Sequence, residues 1–248
     1  MMEKNNIKNN EEWSNRVNLA ACYHLADYFK MSDIIWNHIT CKTTSNKETF
    51  LINPFGLRYD EVKASNLVEI NSEGKIVNGN SSINKTGYII HGAIHAKRKD
   101  IKCVMHTHSR AGLAISCMED GLIPMVQDAA IFHNRVSYHD WEGMSTEADE
   151  CERINKSLGI NKVMILRNHG LLTCGSTIAE AFMLMYYLDR ACKNQIDAYS
   201  TGLKLSIPSE NIMEYAAGQY NDDGFKLGVH EWPALLRLLD KNNSIYKE

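Results

Sequence analysis

The pair His106 and His108 is the local pattern best suited to chemistry. It ends an apolar run at 102–108 that is predicted to be a strand. Side chains two positions apart on a strand project from the same face, so both imidazoles can bind one ion at Zn–N distances of ~2.0–2.1 Å. A pair alone is weak evidence in a chain with ten histidines. A metal site would need a third ligand.

The best candidate for that third ligand is His169. It lies in a tight turn at 167–170, between two apolar runs, and a turn at the end of a strand can aim its side chain at a neighbouring strand. The alternative is an ordinary turn histidine that is hydrogen-bonded to the backbone. Other enzymes that use a His-x-His pair fit less well. A cupin needs a glutamate soon after the pair, where residues 109–112 instead begin a helix. The HxHxDH pattern of metallo-β-lactamases and the HExxH pattern of zinc proteases are both absent.

The elements that must position these histidines alternate between strands and helices. Ser109 is predicted to cap one helix, and Thr177 with Glu180 forms a capping box for a long one. Hairpins mixed with helical crossovers predict a mixed sheet covered by helices on both faces. The predicted strands are 34–44, 48–53, 67–70, 75–77, 102–108, 162–166 and 171–174, the first four paired as two hairpins. The predicted helices are 12–30, 86–97, 110–118, 145–158, 178–196, 209–219 and 231–241.

Composition excludes several classes of protein. The 248 residues carry 27 basic and 30 acidic groups, a net charge of −3, and no block of like charge, which argues against nucleic-acid and membrane-surface partners. The longest apolar window, 179–188, is too short to span a bilayer. Seven scattered cysteines without a CxxC motif indicate reduced thiols, and with no signal peptide they predict a cytoplasmic protein. We expect a flexible tail at 1–11 and one domain at 12–248.

Several motifs together resemble the class II aldolase/adducin family, in particular its adducin-like bacterial branch. They are HGAIHAKR at 91–98, CVMHTH at 103–108, GLIP at 121–124, YHD at 138–140 and VMILRNHGLL at 163–172. The resemblance implies a three-layer α/β/α subunit with a central mixed, largely antiparallel sheet. It also implies a homotetramer with active sites between neighbouring subunits, and a divalent cation, Zn2+ or a substitute, bound by His106, His108 and His169.

In enzymes of this family the metal stabilises an enediolate formed from a small sugar-like substrate. Sugar-phosphate aldolases of the family supply the base as a glutamate near the start of the helix before the HxH strand. The matching stretch here, 84–87, has no carboxylate. Asp128 is our first candidate for a replacement, reaching into a neighbouring subunit's site; the alternative is a carboxylate in a solvated loop. His91 and His95, four apart on one helix face, could add a ligand or a base, or support the fold.

The phosphate-binding elements also match the family imperfectly. Asn37 and Thr40 lie in a stretch that resembles the family's Gly-Asn-x-Ser loop, and Gly56 lies where a glycine-containing loop would hold phosphate. Phe55 replaces a hydroxyl there, so a phosphorylated substrate is disfavoured. We therefore take Asn37, Thr40 and Gly56 as candidate substrate-binding residues for a small hydroxy-carbonyl compound.

Two functions fit this sequence. The first is a zinc-dependent lyase, such as an aldolase, or an isomerase. The second is a catalytically silent binding or scaffold protein, because eukaryotic adducin heads resemble the same fold. Loss of the glutamate is what evolution from an enzyme to such a protein would produce. A third interpretation, a purely structural zinc, differs from the first in having no exchangeable water on the metal.

Overall fold

The computed structural model describes residues 2–44, 48–143, 148–220 and 226–248. Within these ranges the chain forms eight strands and seven α-helices. The strands are β1 (His38–Lys42), β2 (Thr49–Ile52), β3 (Val68–Asn71), β4 (Ile76–Asn78), β5 (Cys103–Thr107), β6 (Val136–His139), β7 (Val163–Leu166) and β8 (Gly170–Gly175). The helices are α1 (Met2–Tyr28), α2 (Lys85–Lys97), α3 (Arg110–Ser116), α4 (Ala148–Leu158), α5 (Ile178–Ser200), α6 (Glu210–Tyr220) and α7 (Glu231–Lys241).

All eight strands belong to one sheet with the order β4-β3-β2-β1-β5-β8-β7-β6. Every neighbouring pair is antiparallel except β6 and β7, which run parallel. The predicted mixed, largely antiparallel sheet is confirmed, and so is the pairing within both predicted hairpins. The turn of the first hairpin, 45–47, lies outside the described residues.

Helices cover both faces of this sheet, as the predicted three-layer α/β/α class requires. Successive side chains of β5 point to opposite faces of the sheet. Cys103 and Met105 belong to the core under α1, α3 and α5. Val104 belongs to the core on the other face, under α2 and α4. His106 continues the Val104 side and lies opposite His38, whose ring packs against His91 of α2. His106 therefore follows three buried apolar residues of the strand, and the buried Thr107 ends it.

Two helix starts agree closely with the predicted caps. The Ser109 hydroxyl accepts from the Gly112 N–H at 3.2 Å, and the Thr177 hydroxyl accepts from the Glu180 N–H at 3.0 Å. The carboxylate of Glu180 returns to the Ser176 N–H at 2.7 Å, one residue before the expected partner. Because Ser109 begins α3 directly after β5, the chain turns sharply at His108.

Other boundaries differ from the sequence-based expectations. The first helix begins at Met2, so residues 2–11 are helical where we expected a tail; the division into a tail at 1–11 and one domain at 12–248 stays a prediction. The edge strand β6 was not predicted, because four residues without a hairpin turn give little local signal. The predicted start of the fourth helix at 145 or 146 lies outside the described residues.

Five of the seven cysteines are buried, and all seven are free thiols. Among the described residues, no helix has the length and apolar character needed to cross a bilayer.

Candidate metal centre

Antiparallel pairing of β5 with β8 brings the three predicted histidines together. His106 pairs with Leu172 and Thr107 with Leu171, so the end of β5 lies beside the start of β8. The turn that carries His169 leads directly into β8 and therefore lies at the same place. Asn168 takes the left-handed backbone conformation (φ 55°) in that turn, which Asn tolerates better than most residues. Gly170 is required by close approach, because a Cβ there would lie 2.5 Å from the Thr107 carbonyl oxygen.

The three imidazoles form a compact cluster. The ring centroids of His106 and His108 are 4.8 Å apart, those of His106 and His169 are 4.8 Å apart, and those of His108 and His169 are 5.0 Å apart. One nitrogen from each ring lies within 4.8 Å of the other two, an arrangement that can hold a metal ion. Residues more than 60 positions apart in the chain thus supply one set of donors.

Hydrogen bonds fix which nitrogen faces the centre. Nδ1 of His106 donates to the Leu171 carbonyl oxygen at 2.9 Å, and Nδ1 of His108 donates to the Asp33 carboxylate at 3.1 Å. In the neutral rings both Nε2 atoms then carry lone pairs, and these two atoms lie 3.1 Å apart. Two lone pairs at this distance repel unless a cation lies between them. Nitrogen ligands of tetrahedral zinc at ~2.0–2.1 Å lie about 3.3 Å apart, so the separation of this pair of nitrogens fits such an ion.

The electrostatic environment keeps two of the candidate ligands, His106 and His169, neutral. Burial holds the pKa of His106 well below its usual range, and the surrounding histidines act in the same direction. Burial lowers the pKa of His169 to about 4, with smaller contributions from His108 and His139. Neutral imidazoles are the form that binds metal, so these two rings are ready to act as ligands at neutral pH without first losing a proton.

The cluster lines a cavity of about 410 Å³. Its other polar lining groups are Asp33, Asn37, His38, Asn84 and Asn168, and its larger apolar ones are Trp36, Ile90, Leu113 and Trp141. A second cavity of about 710 Å³ lies between β7, α5 and the segment before α7, but none of the predicted site residues lines it. We therefore place the candidate site at the smaller cavity, where the donors converge.

Of the three predicted substrate-binding residues, Asn37 lines this cavity. Its Oδ1 accepts from the His108 N–H at 3.1 Å, and its backbone is left-handed (φ 70°). Among the described residues that line the cavity, neither Thr40 nor Gly56 is present. Thr40 is wholly buried beneath α2, and its hydroxyl lies 2.8 Å from both His91 Nδ1 and His95 Nε2.

Gly56 lies in the loop after β2 with a positive φ of 96°. Asp128 lies in a short 3₁₀ helix, and its carboxylate accepts from Arg190 Nε at 2.6 Å. It does not line the cavity of its own chain, and its predicted role in a neighbouring subunit's site stays a prediction. His91 and His95 bind Thr40 between α2 and β1, which is the fold-supporting alternative given above.

Sequence reasoning missed two residues of the site. Asp33 precedes β1 in a short loop, and nothing local relates it to a histidine 75 positions later. His38 lies opposite His106 in the β1–β5 register and lines the cavity. A period-two pattern could have placed it on the same strand face as Thr40, but the strand pairing that puts it beside His106 is set by the tertiary fold.

Comparisons with known proteins identify related sequences and similar folds. The model of the Class II Aldolase and Adducin N-terminal domain matches residues 17–196, which include all three histidines. The crystal structure of an aldolase II superfamily protein from Pseudomonas syringae is 41% identical, covers 96% of each chain and has a TM-score of 0.90. An L-fuculose 1-phosphate aldolase from Glaciozyma antarctica PI12 is 25% identical, covers 95% of this chain and 93% of its own, and has a TM-score of 0.83.

Alpha-adducin from Rattus norvegicus is 39% identical over 241 residues, which are 91% of this chain and 33% of the adducin. The relatives thus include both aldolases and adducins, and the match to the domain extends over most of the chain. This chain belongs to the class II aldolase and adducin family.

Proposed function

We propose that this protein is a zinc-dependent lyase of the aldolase type, or an isomerase, that acts on a small hydroxy-carbonyl compound. The observation that carries the proposal is the 3.1 Å separation between the Nε2 atoms of His106 and His108, which both carry lone pairs. His169 supplies the third nitrogen of this donor set. A divalent cation held by three histidines keeps a fourth position open, where it can polarise a substrate carbonyl and stabilise negative charge as it develops.

The chain's own residues orient the ligands and bind the substrate. Asp33 and the Leu171 carbonyl hold the rings of His108 and His106 in one tautomer and one orientation. The amides of Asn84 and Asn168 lie in the cavity wall, where they can bind substrate hydroxyls. Trp36 and Trp141 lie at the cavity with 49% and 60% of their surfaces exposed, which suits them to cover a bound substrate.

We propose a substrate without a phosphate group. Among the described residues that line the cavity there is neither a lysine nor an arginine, and Asp33 adds an acidic group. Among these described lining residues, a phosphate dianion would therefore have no cationic side chain as a partner. This agrees with the imperfect match of the segment around Gly56 to a phosphate-binding loop.

Metal analysis tests the proposed function directly. Protein purified with added zinc should hold about one zinc per subunit, and His106→Ala and His169→Ala should each lose it. His230→Ala is the matched control, because His230 is exposed at the start of α7. Zinc-loaded protein should also bind glycolohydroxamate, a mimic of an enediolate, in a calorimetric titration. Wild-type protein that holds no divalent metal after supplementation would rule out the enzyme.

The alternative is a catalytically silent binding protein, which the 39% identity to rat alpha-adducin favours. Such a protein needs neither the metal nor a pocket for an enediolate. It would bind neither zinc nor glycolohydroxamate, so the same two measurements separate the alternatives.

We further propose that the protein is a cytoplasmic homotetramer with sites between neighbouring subunits. Seven free cysteines suit a reducing compartment. The exposed tryptophans at the cavity suit a neighbouring subunit that completes its wall. Light scattering after size-exclusion chromatography should give four times the mass of one chain.

A further inference from the structure

The buried side chain of His38 is a polar group of the cavity that the metal centre does not use. His38 lies opposite His106 in the β1–β5 pairing, and the two ring centroids are 5.6 Å apart. Only 3% of His38 is exposed, and among the described residues neither of its ring nitrogens has a hydrogen-bond partner. Burying a polar ring without partners is costly, so its retention needs an explanation.

Neighbouring side chains hold this ring without bonding to it. His91 packs against it with 4.4 Å between ring centroids, and Nδ1 of His91 is already engaged by the Thr40 hydroxyl. Thr40 in turn binds His95. The polar edge of His38 is therefore left for whatever enters the cavity.

Gly87, in the first turn of α2, makes room for the ring. A Cβ at Gly87 would lie 2.8 Å from Cγ of His38 and 3.0 Å from both Cδ2 and Nδ1. Glycine is a poor helix former, so its place inside a helix calls for a packing reason. The ring of His38 occupies the space that a side chain from this turn would otherwise fill. This turn belongs to the stretch 84–87, where related sugar-phosphate aldolases carry a glutamate.

We propose that His38, whose ring occupies the space beside Gly87, is a substrate-binding residue and that its imidazole hydrogen-bonds a hydroxyl oxygen of the substrate in the cavity. The proposal rests on the proposed function, because it needs a hydroxy-carbonyl compound in this cavity. A neutral imidazole has one donor and one acceptor nitrogen, and a hydroxyl can pair with either. This proposed hydrogen bond makes His38, on β1, a residue of the substrate-binding site as well as of the core.

Ligand binding to the zinc-loaded protein tests this role. His38→Phe keeps a planar ring of similar size but removes both nitrogens, and His38→Gln restores a donor and an acceptor. Both variants should retain about one zinc per subunit. In calorimetric titrations, His38→Phe should bind glycolohydroxamate about tenfold more weakly than wild type, because a hydrogen bond in a buried site is lost, and His38→Gln should recover part of the affinity. His230→Phe, at an exposed position, should bind the probe as wild type does.

Equal affinity of His38→Phe and wild type would overturn the role of His38 while leaving the proposed function intact. Zinc-loaded wild type that does not bind the probe would overturn both.

A thermal denaturation cycle tests the space at Gly87 without any ligand. Gly87→Ala should lower the Tm in the wild-type background, because the new Cβ displaces the His38 ring. In the His38→Ala background the same change should raise the Tm, since Ala is the better helix former and the ring is gone. An equal rise in both backgrounds would contradict the packing argument.

Discussion

The carboxylate of Asp33 lies 3.1 Å from Nδ1 of His108 and thereby fixes which nitrogen of this ring faces the candidate metal centre. This contact and the hydrogen bond from the His108 N–H to Asn37 Oδ1 join the loop before β1 to the end of β5 at the site. A carboxylate behind a ligating histidine orients the ring and raises its basicity.

We expect Asp33→Ala to weaken zinc binding about 10- to 100-fold while the fold is retained. Competition with a chromogenic chelator would measure the change. Glu119→Ala, which removes an exposed carboxylate after α3, is the matched control and should bind zinc as tightly as wild type. Equal zinc affinity in Asp33→Ala and wild type would show that the contact does not support the ligand.

Stability of the metal-free protein should fall as the pH is lowered from about 6.5 to about 4. Burial lowers the pKa of His169 to about 4 in the folded chain, from its usual value of about 6.5. Between these two values the unfolded chain binds a proton at this position and the folded chain does not. The stabilisation is therefore fully present above pH 6.5 and is lost as the pH falls, by at most roughly 3 kcal/mol for this group.

Urea unfolding in the presence of EDTA at several pH values would measure this dependence. His169→Gln should lose less free energy of unfolding over the same range, because it has no titratable ring. If the free energy of unfolding depends on pH in the same way for wild type and His169→Gln, then His169 has the same pKa in the folded and unfolded chains, which would contradict the prediction.

Gly170→Ala should damage both the fold and the site. The added Cβ would lie 2.5 Å from the Thr107 carbonyl oxygen and 3.1 Å from Cδ2 of His108, so β8 must move away from β5. We expect a loss of about 1–3 kcal/mol in the free energy of unfolding and weaker zinc binding.

The matched control is Gly218→Ala in α6. No atom lies within 4 Å of the added Cβ there, and the position is exposed. This change should stabilise the protein by roughly 0.5–1 kcal/mol, because Ala has the higher helix propensity. Chemical denaturation of the two variants side by side would give both values, and similar effects at the two glycines would contradict the close-approach argument.

Asn37 should be sensitive to the choice of replacement. Its Oδ1 accepts from the His108 N–H, and its backbone is left-handed with φ 70°. Asn37→Gly keeps the backbone conformation and loses the side-chain contact, whereas Asn37→Ala loses both. We expect both variants to bind glycolohydroxamate more weakly and Asn37→Ala to be the less stable, by about 1 kcal/mol. Calorimetry and urea unfolding would measure the two effects, and equal stability of the variants would contradict the backbone argument.

The placement of Thr40 illustrates where local reasoning stops. The stretch at 36–40 resembles a substrate-binding loop of the family, and its residues from His38 onward form β1, inside the strand predicted at 34–44. His38 and Thr40 share a strand face, and pairing with β5 puts His38 opposite His106 and Thr40 opposite Val104, deeper under α2. The same local pattern therefore yields one residue in the cavity and one in the core.

By itself, the sequence predicted the three candidate metal ligands, the hairpins, the helix caps and a mixed sheet, because each prediction depends on spacing within a few residues or on motifs of the family. His106 and His108 share a face through the two-residue period of a strand, and Ser109 and Thr177 cap helices through contacts three residues away. Only the tertiary structure decided that Asp33 supports His108, that Gly87 makes room for His38, and that β6 pairs in parallel with β7. These relationships join distant segments, and they are fixed by strand register and layer packing, which no short stretch of sequence encodes.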